Sequence, residues 1–213
     1  MRISFALASS VDRLRIDRSS SFRYQNTIDG QCVRGKLSCW RLRIPRPLLP
    51  AVLSSLTGGR VIETPPIDLE FMLAALQEGR DAAARGEVPV GAVVAIQGHI
   101  VSRSGNRTIT DTDPTGHAEV IALREAALRV GNYRLAGATL YVTIEPCAMC
   151  AGAMIQARIQ RLVYGADDAK GGAVKSCFTM LDHPQLNHTV DVTSGVLAEE
   201  SAALLKDFFA ARR

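Results

Sequence analysis

From Ile67 onward the apolar positions recur at intervals that switch between helix and strand periods. Leu69, Met72, Leu73 and Leu76 fall at i, i+3, i+4 and i+7, which predicts a helix with one apolar face from Asp68 to about Arg85. The stretch Gly86-Glu87-Val88-Pro89 ends it. A short β-branched run from Val90 to Ile96, closed by Gln97-Gly98 and followed by His99 to Ser102, predicts a hairpin. A mostly apolar helix is expected from His117 to about Val130, then a strand from Ala138 to Ile144 and a helix from Cys147 to Arg158. Strands at Arg161 to Gly165 and Thr189 to Val192 and a final helix from Val196 to Ala211 complete the series. Helices alternating with strands predict an α/β domain, three layers deep, with helices on both faces of a central mixed sheet.

Residues 1–66 lack this texture. Prolines at 45, 47, 50, 65 and 66 interrupt most elements that could begin there, and the stretch holds ten arginines and nine serines. The expectation is an Arg/Ser/Pro-rich extension without stable structure over 1–66, followed by one domain over 67–213. The favoured reading is a nonfunctional extension. Its Arg- and Ser-rich, acid-poor composition also suits an organellar transit peptide, and a nucleic-acid-gripping arm is a third reading.

Charge sharpens the division. The whole chain carries +4, but residues 1–66 contribute +7 and residues 67–213 contribute −3. No stretch approaches the ~18 to 20 uninterrupted apolar residues of a membrane-spanning helix. Five cysteines in 213 residues are too few, and odd in number, for a disulfide-stapled scaffold, so a reducing compartment is expected.

The chemistry concentrates in two short segments. His117-Ala118-Glu119 opens one predicted helix, and Pro146-Cys147-Ala148-Met149-Cys150 opens another. At ~100° per residue, Cys147 and Cys150 lie about 60° apart, so two sulfurs can converge on one ion. His117 and Glu119 sit about 200° apart and can share a site only at a helix end. Unsatisfied N–H groups and the positive end of the helix dipole favour thiolates there. One imidazole and two thiolates suit Zn²⁺ with one position left open, which is the arrangement of a catalytic rather than a structural site. Glu119, beside the ion but off it, could move a proton between an activated water and a leaving group.

The competing arrangement is a closed structural site completed by Cys177, a residue otherwise expected to be a buried, inert thiol. His99, His183 and His188 lack partners at ligand spacing and are expected to be core or surface histidines. Cys32 and Cys39 are assigned no role.

These motifs resemble the zinc-dependent nucleobase deaminase pattern. Further segments extend the resemblance over about residues 68–213 to the bacterial tRNA-specific adenosine deaminase family: Glu87-Val-Pro-Val-Gly-Ala-Val93, Gly105-Asn106-Arg107, Asp113-Pro-Thr115, Asn132-Tyr-Arg-Leu135 and Cys150-Ala-Gly-Ala-Met154 among them. The resemblance implies a deaminase-like fold and hydrolytic deamination of adenosine to inosine at the wobble position of a tRNA anticodon, commonly tRNA-Arg. It further implies a cytoplasmic homodimer with one Zn²⁺ per subunit, Zn²⁺-bound hydroxide as nucleophile and Glu119 as proton shuttle. By the same resemblance Asn106 contacts the base and Asp168 contacts the backbone of the anticodon stem-loop. The terminal helix, with Lys206, Phe208 and Phe209, resembles an element that packs near RNA, although Leu204 with Phe208 and Leu205 with Phe209 read as core pairs.

The chain departs from the family pattern at Gly105 and Gly116, which are expected to loosen the local backbone, and at Asp167, which places a second carboxylate in a loop expected near phosphate. The −3 charge of the domain requires any basic footprint for RNA to be local. A free guanine or cytidine deaminase and a noncatalytic zinc-stabilised RNA-binding module are the alternatives.

Overall fold

The computed structural model describes residues 64–212 and, ahead of them, two short strands, β1 (Thr27–Ile28) and β2 (Gln31–Cys32), paired antiparallel with each other. The expectations for the remainder of the first 63 residues, and for Cys39, lie outside the described residues.

The folded unit is a five-stranded mixed sheet with helices on both faces, as the alternating pattern predicts. In chain order its elements are α1 (Pro66–Ala84), β3 (Gly91–Ile96), β4 (His99–Gly105), α2 (Ala118–Val130), β5 (Ala138–Ile144), α3 (Ala148–Ala157), β6 (Arg161–Ala166), β7 (Asp191–Ser194) and α4 (Ala198–Ala210). The strand order is β4-β3-β5-β6-β7. β3 runs antiparallel to both β4 and β5, whereas β5, β6 and β7 are parallel. The C-terminal ends of β4, β5 and β6 therefore point the same way, toward the end of the sheet where α1 finishes and α2 and α3 begin.

Strand alternation divides the core between two faces. Ala92, Val94, Leu140, Val142, Leu162 and Tyr164 pack with buried residues of α2 and α3. Val93, Ala95, Tyr141 and Val163 face Phe71, Met72 and Ala75 of α1. The β3–β4 hairpin turns through Gln97 and Gly98, both at positive φ (51° and 76°), the signature of a two-residue primed turn.

Five expectations need correction. Helix α1 starts at Pro66, in the first helical position that proline favours, and half of the predicted Leu69, Met72, Leu73 and Leu76 stripe is buried, Met72 and Leu76 facing the sheet as expected. Leu69 and Leu73 are exposed (36% and 54%), while Phe71, Met72, Ala75, Leu76, Gly79 and Ala82 face the sheet. Small residues win that face because the backbones nearly touch: a Cβ on Gly91 would lie 2.4 Å from the Gly79 nitrogen. Strand β4 runs three residues past Ser102 because its buried serines find acceptors, Ser102 donating to the Ala122 carbonyl at 2.6 Å and Ser104 to the Gly105 carbonyl at 3.0 Å. The last strand and helix each begin two residues later than predicted.

Gly105 and Gly116 do not loosen the chain. A Cβ on Gly105 would stand 2.6 Å from the Glu78 carbonyl oxygen and 2.8 Å from the Ala82 Cβ, and one on Gly116 would stand 3.0 Å from the Asp113 carbonyl oxygen. Both are close-approach positions. No helix among the described residues is long and apolar enough to cross a membrane.

Candidate active site

Two helices begin at their own prospective ligands. His117 is the N-cap of α2 and Cys147 the N-cap of α3, both in extended backbone conformations, and neither side chain caps its helix. The cap on α2 comes from elsewhere: Asn106 Oδ1 accepts from the Ala118 N–H at 2.8 Å. His117 is thereby released from its local backbone, and its ring turns to the two cysteines.

His117 Nδ1 lies 3.7 Å from Cys147 Sγ and 3.6 Å from Cys150 Sγ, and the sulfurs are 3.6 Å apart. Around a tetrahedral Zn²⁺, bond lengths of ~2.3 Å to sulfur and ~2.0 Å to nitrogen give edges of about 3.8 Å for S···S and about 3.5 Å for N···S. The trio fits that ion. Among the described residues no fourth His, Cys, Asp or Glu joins it. Cys177 in particular is exposed rather than buried, with its Sγ 3.3 Å from the Ala169 carbonyl oxygen, so it neither completes a closed site nor sits as a core thiol. The neighbouring Cys150 thiol and the His117 imidazole pull the Cys147 thiol down to about 3, so it is the first of the two to ionise.

Glu119 stands in the first turn of α2, 2% exposed, and its Oε2 has no hydrogen-bond partner among the described residues. Burial raises its affinity for a proton. A buried carboxylate left unpaired is costly. Here it sits two residues from a prospective metal ligand, the position a proton carrier needs.

The other predicted site residues divide. Asn106 is 5% exposed at the end of β4, beside the α2 N-terminus. Its oxygen is committed to Ala118, so the amide N–H₂ is the part that can face a ligand. Asp168 lies half-buried in the loop after β6, and its Oδ1 accepts from the Lys170 N–H at 3.0 Å. That loop is fastened to the ligand turn by a bridge between Cys147 and Gly172 and by the Ala173 N–H donating to the Pro146 carbonyl at 2.8 Å. Asp167 pairs with Lys175 at 3.1 Å, so its added charge is locally compensated. His99 and His183 are exposed and His188 is half-buried against the Ile159 carbonyl, away from the trio. In α4, Phe208 is buried but Phe209 is 48% exposed, so only one of the two expected core pairs has a buried aromatic.

Two structural carboxylates escaped the sequence reading. Glu145, 2% exposed at the end of β5, accepts from the N–H groups of Asp168 (3.1 Å), Val174 (3.1 Å), Lys175 (2.8 Å) and Ser176 (2.9 Å), and from the Ser176 hydroxyl. Burial pushes this carboxyl up, but the Ser176 hydroxyl and the loop N–H groups outweigh it and bring it to about 2. Glu87, fully buried, does the same for the loop between β4 and α2, accepting from Ile109 N–H at 3.0 Å, Thr110 N–H at 2.6 Å and the Thr108 hydroxyl at 3.1 Å. The available signal was a carboxylate among apolar residues at an element boundary, in Glu87-Val-Pro-Val and Ile144-Glu-Pro-Cys.

Comparison with known proteins agrees with this geometry. The MafB19-like deaminase family model matches residues 68–213. The tRNA-specific adenosine deaminase of Haemophilus influenzae is 51% identical over 147 residues, covering 68% of this chain and 85% of that protein. The enzyme of the same name from Agrobacterium fabrum is 50% identical over 143 residues, covering 67% and 94%. A solved structure from a study of A-to-I editing by tRNA:A34 deaminases at the wobble position of transfer RNA is 51% identical with a TM-score of 0.62, over 64% of this chain and 99% of that one. NE0047 in complex with 2,6-diaminopurine is more distant, at 25% identity and TM-score 0.58, over 68% of this chain and 83% of that one. The chain belongs to the MafB19-like deaminases and, among them, to the tRNA-specific adenosine deaminase family.

Proposed function

We propose that this protein converts adenosine to inosine by hydrolysis at the wobble position of a tRNA anticodon, with tRNA-Arg as the expected substrate. The observation that carries the chemistry is the three-ligand triangle with a buried glutamate alongside, whose Oε2 has no partner among the described residues. The choice of base and nucleic acid rests on the relatives, whose names specify tRNA and adenosine at 50–51% identity.

His117, Cys147 and Cys150 would hold one Zn²⁺ per subunit. Bound there, the ion supplies a Lewis acid that activates water near neutral pH. Glu119 takes a proton from the attacking water and delivers it to N1 of the base, then takes the second proton from the hydroxyl added at C6 and gives it to the departing amino group, so adenosine and water become inosine and ammonia. Asn106 directs its N–H₂ at the purine edge, and the cap it forms on α2 fixes that direction. Asp168, on the loop tied to Cys147, contacts the anticodon backbone. Recognition of one splayed base requires no strongly basic surface, in keeping with the −3 charge of the domain.

The protein works as a homodimer in the cytoplasm. An apolar groove of about 570 Å³ between α2 and α3 leaves Leu128 and Tyr133 exposed (78% and 65%), the kind of surface a second copy covers. Reducing conditions keep Cys147 and Cys150 as free thiols, available to the metal rather than joined in a disulfide.

Incubating the zinc-loaded full chain with unmodified tRNA-Arg yields inosine at position 34. Absence of inosine at stoichiometric enzyme ends the proposal, and ammonia from guanine or cytidine with none from tRNA selects the free-base alternative. Sedimentation of the full chain as a monomer removes the dimer.

A further inference from the structure

A domain of charge −3 that acts on RNA must gather its positive charge in one place. At the site end of the sheet, the C-terminal half of α1, the last residues of β4, the loop that follows Asn106 and Glu125 of α2 line a cavity of about 350 Å³. Arg85, Arg103, Arg107, Glu78, Glu125 and Thr110 line most of it. Three guanidiniums against two carboxylates leave +1.

The pairing within the lining is uneven. Glu78 is held by Arg103 at 3.5 Å, Arg107 shares Asp111 at 3.0 Å, and Glu125 turns to Arg129, outside the cavity, at 3.7 Å. Among the described residues Arg85 has no carboxylate within ion-pair distance. It reaches across the close-approach position at Gly105: a Cβ there would stand 3.3 Å from Arg85 Nη2. The next residue is Asn106. Arg107 and Thr110 belong to the loop that Glu87 fastens from below, so this wall is preorganised.

We propose that this cavity is a phosphodiester site, holding one backbone phosphate of the RNA strand whose base enters beside Asn106. A guanidinium fork matches two phosphate oxygens, and a net +1 matches the single charge of a phosphodiester. A phosphomonoester or polyphosphate would leave excess negative charge facing Glu78 and Glu125. The site deepens the tRNA reading and rests on it. It supplies an anchor independent of the metal and a reason for the enzyme to prefer a nucleotide within a strand over a free base.

The test uses the zinc-loaded full chain and an anticodon stem-loop RNA, with affinity measured between about 50 and 200 mM salt. Arg85→Gln makes the slope of log K against log salt shallower by about 0.7 to 0.9, the contribution of one phosphate contact, and raises KM several-fold with kcat at saturation unchanged. Arg85→Lys restores the slope. Arg80→Gln, exposed on the same helix and outside the cavity, leaves it as in the parent protein. An unchanged slope in Arg85→Gln with zinc content and melting temperature intact overturns the site. Competition by inorganic phosphate at constant ionic strength also overturns it, by showing a small-anion site. Failure of the parent protein to form inosine counts instead against the tRNA reading, so the two claims fail separately.

Discussion

The two ends of the sheet balance their buried acids in opposite ways. At the end remote from the metal trio, Asp68 is fully buried and meets a cation: Arg161 grips both its oxygens at 3.0 and 2.8 Å, and the Tyr141 hydroxyl adds a bond at 2.8 Å. At the site end, Glu87 and Glu145 take their hydrogen bonds from loop backbone and hydroxyl groups. Glu119 Oε2 has no hydrogen-bond partner among the described residues. The ion pair joins α1 to β6 and so serves the frame, whereas the backbone-bound acids shape loops and the unbalanced one stands where the proposed mechanism needs a proton carrier. The treatment of a buried carboxylate thus separates scaffold from site before any substrate is considered.

The sharpest break in this comparison is at Glu119. Glu119→Gln keeps zinc and fold but lowers kcat by about 10² to 10⁴, the usual contribution of general acid–base catalysis; a smaller loss with zinc bound removes it from the mechanism. At the opposite end, Arg161→Ala leaves Asp68 buried without its cation and lowers stability by about 3 kcal/mol in urea unfolding. Turnover measured where the variant remains folded stays at the parent value, since the pair does not touch the site. Replacing Asp68 and Arg161 together costs less than the two single changes summed.

Glu145→Gln has a smaller effect on stability, about 1 to 3 kcal/mol, because an amide oxygen can keep part of the loop's donors. Its mark is on the site, as a raised KM for RNA and weakened zinc retention; a stability loss with neither change would assign Glu145 to the frame. The smallest effect is that of acid on Glu87. Burial would raise this carboxyl, but the Thr110 and Ile109 N–H groups and the Thr108 hydroxyl hold it below its ordinary 4.5. Its contribution is therefore present above pH 4.5 and disappears as pH falls through the depressed folded value. The melting-temperature gap between the parent and Glu87→Gln is constant from pH 7 to about 5 and closes below 4.5.

The same contrast explains what could be read from sequence. The trio was legible because its residue types are rare and each segment opens a helix, so spacing alone restricts geometry. The alternation along β3, β5 and β6 likewise made the layers legible. Glu87 and Glu145 were not, because their partners are mostly main-chain N–H groups 22 to 31 residues away, and an N–H group carries no residue type. The face of α1 was legible at Met72 and Leu76 but not at its edges, for a related reason. Hydropathy favours Leu69 and Leu73, but the sheet approaches so closely that Ala75, Gly79 and Ala82 take the inner positions. Cys177 was misplaced because a thiol's hydropathy does not report whether its loop lies against the core.

Gly172 sets a limit on redesign. A methyl group there would overlap Glu145 Oε2 at 2.3 Å and the Asp168 carbonyl at 2.7 Å, so the segment carrying Asp168 owes its path to one missing carbon. Directed evolution toward a new nucleobase or strand has room at the exposed side chain of Lys170. Libraries that randomise position 172 will mostly return proteins in which the Cys147 turn and the Asp168 loop no longer hold a common geometry.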